Sequence, residues 1–422
     1  MHSDQPSEMT RYNWVLLFSL YITQFVAMGF FLIALVAIMR EQGYSLESLS
    51  VIYLLGLFWV FKFLWAPAID RWKLPGRGHF RSWLLLLQFL MVVVLLVIAQ
   101  QPLDGSFTKL FLYCMLLAFL SATQDIAADG LSCSLLLPTE RGVGNGVQSA
   151  GGLIGNMLGG GGVLILYTWL GWEGSLYLLA AGTSISLILL LFFREPDTRP
   201  VVQGVGNVFR YIQTFWKQPH YGGWLRLLLI FPAGIGLAYG LLTPLLVDVG
   251  WSMEQIGLVM NVIGSLVGVF ASVLVGWLLH RYTRRRVLLS SAIFQCAALL
   301  ALLLPVLGYT DLLSVGLAIG LFYFAFTAVT TVLMTLMMDH ASKATPSTDY
   351  AMQFGINALL SYLMAAASML LAGWLGYGGV ILFALILGLS GLLLSLRFQS
   401  SGADHASMTD FHPEKIQEGA YR

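Results

Sequence analysis

Three ionisable side chains lie inside segments that are otherwise apolar, where they could bind a proton or a charged substrate. Lys62 is the only charged residue between 48 and 69. Asp125 and Asp129 are four residues apart, which places them on one face of a helix. A lysine in a low-dielectric site is less costly when a carboxylate pairs with it, and such a carboxylate can also take up a proton. These residues are therefore candidates for proton coupling or for contact with substrate charge.

Lys62 and the two aspartates are expected at similar depths in the protein. Lys62 precedes Asp70 by eight residues, or about 12 Å along a helix, and Asp125 lies about 10 Å from the matching end of its own segment. An ion pair of Lys62 with Asp125 or Asp129 is therefore predicted. Two roles remain open for this pair: coupling to protons or substrate, or a static link between two helices.

The segments that carry these residues are predicted to cross a membrane. Of the 422 residues, 58% are hydrophobic and 10% are charged, whereas soluble domains contain about 25% charged residues. A helix needs about 20 apolar residues to cross the hydrocarbon core. Twelve windows meet this requirement: 14–38, 47–69, 81–100, 108–132, 143–167, 174–193, 223–248, 254–278, 287–307, 312–338, 350–374 and 379–397. The first is too long for a signal peptide, so it is expected to be a membrane span.

The predicted fold class is an all-α integral membrane protein with twelve transmembrane helices in two six-helix bundles. The bundles are residues 1–193 and 223–398, joined by a linker at 194–222 and followed by a tail at 399–422. In the linker, Phe209 to Trp216 is expected to form an amphipathic surface helix. Basic residues concentrate in loops 70–81 and 280–286 and in the linker, whereas the other side has only Arg40 and Lys109. Both termini are therefore expected in the cytoplasm.

The two bundles resemble copies of each other at an offset of 210 residues. Matched positions are Trp14 with Trp224, Asp70-Arg71 with His280-Arg281, and Asp129 with Asp339. A parallel repeat of six spans is typical of major-facilitator transporters. Features present in both halves are expected to serve mechanics that the halves share, whereas features present in one half are better candidates for substrate or ion chemistry. Lys62 corresponds to Ser272 and Asp125 to Thr335. The charged pair therefore belongs to the first half alone.

Charged residues at the cytoplasmic span ends are predicted to form a gate. These residues are Asp70, Arg71, Arg77, Glu140, Arg141, Arg281 and Asp339. A contact between Asp70 and Arg141 is expected to close that side, although any single arginine here can equally serve only to orient the chain. In span 5, Gly151, Gly155 and Gly159 are spaced for close helix packing.

Other polar and aromatic residues inside the spans are candidates for a central substrate pocket. In major facilitators, spans 1, 4, 7 and 10 usually surround the cavity, although any one aromatic residue there can equally serve packing alone. The candidates are Gln24, Phe25, Trp59, Gln124, Gln148, Asn156, Tyr239, Asn261, Tyr323, Phe326, Gln353 and Asn357.

Three segments of the first half resemble the AmpG-like group of major facilitators, which includes muropeptide permeases. They are Lys62 to Pro67 followed by Asp70-Arg71, Ser121 to Ile126 with Asp129, and Pro138 to Gly146. Muropeptide permeases are usually longer, and the compact chain looks more like the RhtX/FptX siderophore permeases. This resemblance implies proton-driven import of a siderophore or ferric siderophore across the bacterial inner membrane by alternating access. The alternative is a muropeptide or other small-metabolite permease.

Several other functions are not expected from this sequence. No GxxxxGK[ST] motif is present, so the chain is not expected to hydrolyse ATP. Cys114, Cys133 and Cys296 lack metal-ligand spacing, and no span carries a histidine in its middle. A net charge of +1 gives no indication of nucleic-acid binding. We therefore expect a monomeric transporter without enzymatic activity, cofactor or metal, whose partners are its small-molecule substrate, protons and the bilayer.

Overall fold

The fold is known from a computed structural model that describes residues 9–103, 105–196, 221–343 and 345–398. In these ranges every regular element is helical. The predicted surface helix Phe209 to Trp216 and the tail 399–422 lie outside the described residues.

Nine helices in the described ranges are long and apolar enough to cross a membrane. Two of them are 52 residues long and divide at a glycine, and the broken helix at 46–71 adds one more crossing, so the chain forms twelve crossings. We label these α1 to α12, in the order of the predicted spans. The first six are Arg11–Glu41, 46–71, His79–Ala99, Phe107–Leu135, and the two parts of Arg141–Phe192. The last six are Gly222–Asp248, Gln255–Arg281, Arg284–Val306, Leu312–Asp339, and the two parts of Pro346–Arg397.

The two long helices are divided in the same way in each half. Gly171 has φ 63° and ψ −167°, and Gly376 has φ 65° and ψ 170°, whereas the residues around them are helical. Residues with side chains rarely adopt this positive φ, so glycine is favoured at both turns. Each glycine follows a Trp-Leu pair, Trp169-Leu170 and Trp374-Leu375, and both tryptophans are exposed. The repeat therefore extends to the turns that separate α5 from α6 and α11 from α12.

Helix α2 is broken close to Lys62. Residues Val51–Gly56 and Lys62–Leu64 form 3-10 turns, and a new α-helical segment begins at Ala66. Pro67 explains the second break, because it lacks an N–H group and its ring clashes with the carbonyl four residues earlier. Lys62 therefore lies at a local interruption of its helix rather than on a regular α-helical face.

Glycines allow α1 and α5 to pack backbone against backbone. A β-carbon at Gly155 or Gly159 would collide with the carbonyl oxygen of Ile22 or Val26 in α1. A β-carbon at Gly29 of α1 would in turn collide with the backbone of α5 at Asn156. The prediction of close packing along this glycine stripe is therefore confirmed, and the contact lies within the first half.

The two halves meet at one end of the bundle. We call this end the basic face; it contains loops 72–78 and 282–283, the ends of α4 and α10, and the start of α5 and α11. One hydrophobic core combines the basic-face part of the first half with the second half, whereas the other core contains only residues 26–180. Glycines 142, 146 and 276 bring α5 and α8 into backbone contact across the two halves. The protein is therefore closed at the basic face.

A pair of glycine substitutions tests the packing of α1 on α5. Gly159→Ala is expected to lower the free energy of unfolding by about 2 kcal/mol, because the new methyl group collides with a backbone carbonyl. Gly161→Ala is the matched control on the same helix, since nothing lies within 4 Å of its added β-carbon. Thermal unfolding in detergent should show a lower midpoint for Gly159→Ala alone. Equal midpoints for the two variants would contradict the packing described here.

Candidate functional site

Lys62 is enclosed by the two aspartates that the sequence singles out. Its Nζ atom donates hydrogen bonds to Asp125 Oδ2 at 2.7 Å and to Asp129 Oδ2 at 2.9 Å. The ring centroid of Phe354 in α11 lies 4.5 Å from the same nitrogen. Lys62 is fully buried and Asp125 is only 2% exposed. The predicted ion pair is thus present with both carboxylates, and it joins α2 to α4.

A chain of hydrogen bonds extends this charged cluster into the second half. Asp129 Oδ1 accepts a hydrogen bond from Gln148 Nε2 at 3.0 Å. The Tyr350 hydroxyl of α11 lies 3.1 Å from Gln148 Oε1 and 3.3 Å from Asn145 Oδ1, the two acceptors on α5. The cluster therefore contacts helices of both halves. Among the described residues, Asp125 Oδ1 has no hydrogen-bond partner, although it is buried.

The buried cluster contains one more carboxylate than it has cations. With both aspartates ionised, it would carry a net charge of −1 inside the membrane. A buried charge without a counter-ion is strongly unfavourable. One further positive charge, such as a proton, would make the cluster neutral.

Several predicted pocket residues are buried or half-buried, and some of their polar atoms have few partners. Gln124 Nε2 donates a hydrogen bond to Leu20 O at 3.0 Å. The Phe25 ring contacts α5 where Gly152 leaves room for it. The described residues provide no hydrogen-bond partner for the Gln24 amide, Trp59 Nε1, Asn156 Oδ1 and Asn357 Nδ2. These buried atoms therefore retain an unused capacity for hydrogen bonds.

In the second half the structure brings together Tyr239, Tyr323 and Phe326, three of the residues that the sequence gives as pocket candidates. Gln353, by contrast, is not part of this group. Its Oε1 atom accepts a hydrogen bond from Trp224 Nε1 at 2.7 Å, close to the basic face. Its amide nitrogen donates to Met337 O and Asp349 O, so this side chain ties α7, α10 and α11 together. The proposal that Gln353 lines the pocket is therefore not supported by its contacts.

Asp70 and Arg141 belong to two separate contacts at the basic face, and the expected pair between them is wrong. Asp70 accepts hydrogen bonds from the backbone N–H groups of Ser347 and Thr348 at 3.2 and 2.8 Å, and from the Thr348 hydroxyl at 2.6 Å. A carboxylate is favourable there, because the first N–H groups of a helix have no partner within the helix. Asp70 thus binds the start of α11 in the opposite half.

Asp339 is the acceptor of a second contact between the halves. Its two oxygens bind Arg141 Nη1 at 3.0 Å and Arg284 Nε at 2.9 Å. Arg284 also donates hydrogen bonds to Leu279 O and Pro138 O. Asp339 and its two arginines are mostly buried, so the interaction is screened less by solvent than a surface ion pair. The basic face is therefore held closed by hydrogen bonds to charged groups.

The remaining predicted gate residues contribute less. Glu140 accepts hydrogen bonds from the backbone N–H groups of Met9 and Leu137. Arg71, Arg77 and Arg281 are exposed, and no ion pair involves them in the part of the chain that the structure describes. These three arginines fit the simpler prediction that they orient the chain.

Some contributors to the site were not predicted from the sequence. Tyr350 and Phe354 lie one turn apart on α11 and both face the charged cluster, a four-residue spacing that was visible in the sequence. In the sequence, Arg284 is one of several basic residues of loop 280–286, and nothing distinguishes it as a partner of Asp339. At the same face, His340 stacks flat on Trp224 with ring centroids 4.4 Å apart, and burial lowers the pKa of His340. In the described residues there is no group of three metal-binding side chains.

The chain is similar in sequence and in structure to known proteins. The sequence profile described as Major Facilitator Superfamily matches residues 17–368. An anhydromuropeptide permease of Escherichia coli K12 is 30% identical over 368 residues, covering 85% of this chain and 74% of the relative. A putative transporter AmpG 4 of Rickettsia felis is 23% identical over 371 residues, covering 84% and 89%. The crystal structure of the human organic anion transporter MFSD10 superposes with a TM-score of 0.72 at 18% identity, covering 93% and 100%.

Neutralising Asp339 is expected to loosen the basic face. Asp339→Asn removes the charge from two hydrogen bonds and should cost the closed state about 2 kcal/mol. Spin labels at the exposed positions Lys73 and Lys343, one in each half, should then show longer distances. Glu173→Gln, the same chemical change at an exposed site near the opposite face, is the control and should leave the distances unchanged. An unchanged distribution for Asp339→Asn would show that this contact does not hold the halves together.

Proposed function

This chain belongs to the Major Facilitator Superfamily, and we propose that it is a proton-coupled permease that imports a muropeptide across the bacterial inner membrane. Family members are transporters, and the chain is a multi-pass membrane protein. The single observation that supports coupling is the buried cluster of Lys62 with two aspartates, which is linked to the opposite half through Gln148 and Tyr350.

The choice of a muropeptide is supported by similarity to a protein named for this substrate. The relative named an anhydromuropeptide permease is 30% identical and aligns with 85% of this chain. The RhtX/FptX resemblance was the only ground for siderophore import, and the relatives reported above do not add to it. Siderophore import therefore stays a prediction, and the alternative of a muropeptide permease becomes the main proposal.

The charged cluster can connect proton binding to movement of the two halves. The Asp129 carboxylate accepts hydrogen bonds from Lys62 and Gln148, and a proton on Asp129 would make this acceptor neutral. Hydrogen bonds to a charged group are roughly twice as strong as those to a neutral group. The change would pass through Gln148 to Tyr350, which belongs to the opposite half. Proton binding would thereby alter the contact that must break during alternating access.

The closed face and the distribution of charge are compatible with import. Basic residues favour the cytoplasmic side, so we propose that the basic face is cytoplasmic. The structure is closed at this face by the contacts of Asp70 and Asp339. A transporter in this state can receive substrate from the outer side of the membrane. Import requires that these contacts then break while the outer side closes.

Uptake in cells that lack this protein tests the proposed function. Complementation with the gene should restore accumulation of a radiolabelled anhydromuropeptide, and a protonophore should abolish it. A labelled ferric siderophore serves as the second substrate in the same cells. Restored uptake of the siderophore alone would overturn the muropeptide proposal, and uptake that resists the protonophore would overturn proton coupling.

Substitutions in the cluster separate a coupling role from a static one. Lys62→Met should abolish transport and destabilise the protein by about 3 kcal/mol or more, because two buried carboxylates lose their cation. The triple variant Lys62→Met, Asp125→Asn and Asp129→Asn should regain most of the stability, because no charge remains buried. Its proton-driven transport should still be absent. Transport by the stable triple variant would mean that the cluster only links helices.

A further inference from the structure

The second half contains a set of stacked aromatic rings that the proposed coupling mechanism does not use. Tyr239 of α7 stacks on Phe326 of α10 with ring centroids 5.2 Å apart and planes at 25°. Phe322 lies 6.4 Å from Tyr239 and 6.3 Å from Phe326, with interplanar angles of 29° and 23°. All three rings are thus close to parallel. We call Tyr239, Phe322 and Phe326 the aromatic shelf.

Tyr239 gives the shelf an accessible surface, although the two turns of α7 before it are buried. In α7 every residue from Phe231 to Ala238 is buried, whereas Tyr239 is 42% exposed. One turn further on, Thr243 is also exposed, so this face of α7 continues with a polar group. Phe322, the third ring of the shelf, is fully buried and stacks against the other two rings. A flat group can therefore bind against Tyr239 and the edge of Phe326.

Further tyrosines surround the shelf on the side that faces the first half. Tyr323 and Tyr362 are close enough to Tyr239 to interact with it electrostatically. Tyr362 is 52% exposed, and its hydroxyl lies against Gly56 of α2 in the opposite half. The shelf therefore borders the space between the two halves and has hydroxyl groups at its rim.

The shelf lies outward of the charged cluster along α11. Phe354 contacts Lys62, and Tyr362 is eight residues further along the same helix, or about 12 Å. The unpartnered Asn357 Nδ2 lies between these two levels. The shelf is thus separated from the charged cluster by about two turns of α11.

The chemistry of the shelf fits a neutral ring with apolar faces and polar edges. Within the spans of the second half, no charged residue occurs at 227–247, 255–279, 287–310, 312–338 or 350–396. An ionic group would therefore find no counter-charge at the shelf. A sugar ring has C–H groups on its faces, which stack on aromatic rings, and hydroxyl groups at its edges, which can bond to the tyrosines.

We propose that the aromatic shelf binds a sugar ring of the muropeptide. This proposal rests on the proposed function and assigns the sugar portion of the substrate to the second half. The two halves would then have distinct tasks: the first binds protons, and the second recognises the sugar.

Binding of three probes to purified protein in nanodiscs tests the assignment. The probes are an anhydromuropeptide, its sugar portion without peptide, and its peptide portion without sugar. Tyr239→Ala should weaken binding of the first two probes about tenfold, since a stacking surface is lost. Binding of the peptide alone should not change. Tyr239→Phe keeps the stacking ring and should bind the sugar portion within about threefold of wild type.

Phe270→Ala is the matched control for the loss of an aromatic ring in the same half. Phe270 is 62% exposed and lies on a face of α8 with Leu266, Val273 and Trp277, away from the helix face that packs on α5. This variant should bind all three probes as wild type does. Thermal unfolding of each variant shows whether a loss of binding reflects a loss of fold, and Phe326→Leu provides a second, milder change to the shelf.

The possible results separate the two proposals. If wild-type protein binds the anhydromuropeptide but Tyr239→Ala and Phe326→Leu bind it equally well, the sugar assignment is wrong and the proposed function stands. If wild-type protein binds none of the three probes, the proposed function is wrong as well. If both shelf variants weaken binding of the peptide portion as much as that of the sugar portion, the shelf does not discriminate and the assignment is overturned.

Discussion

The need to neutralise a buried lysine organises much of this protein. Lys62 lies at a break in α2, and a cation there is unfavourable unless a carboxylate reaches it. Two aspartates of α4 do so at 2.7 and 2.9 Å, which fixes α2 against α4. One carboxylate is in excess of the cation, and the proposed coupling uses this excess to bind a proton. In that proposal the group that stabilises the packing also responds to the proton gradient.

The two halves are held together by specific contacts at the basic face. There, Asp70 binds the start of α11, and Asp339 binds one arginine from each half. Glycines also bring α5 and α8 into backbone contact across the two halves. Within the first half, α1 and α5 are packed in the same way at Gly155 and Gly159. In the proposed transport cycle the contacts between the halves would break, whereas the contacts within each half would be kept.

The repeat provides the scaffold, and departures from it provide the chemistry. Both halves share the same turn at Gly171 and Gly376, where only a residue without a side chain fits easily. Asp129 and Asp339 occupy equivalent positions, but one pairs with Lys62 inside the first half and the other with arginines at the basic face. Equivalent positions thus have different roles, because Lys62, the partner of Asp129, corresponds to Ser272 in the second half.

The sequence by itself determined the membrane class, the helical fold and the identity of the charged cluster. Hydropathy, charge distribution and depth along a helix are local or nearly local properties, so they predict spans and the partners of Lys62. Only the tertiary structure decided how the gate is paired, since Asp70 and Arg141 find partners in α11 and α10, more than 190 residues away. The same holds for the aromatic shelf. Which rings stack depends on the rotation and translation of α7 relative to α10. The residue pattern within a single helix does not determine this relative placement.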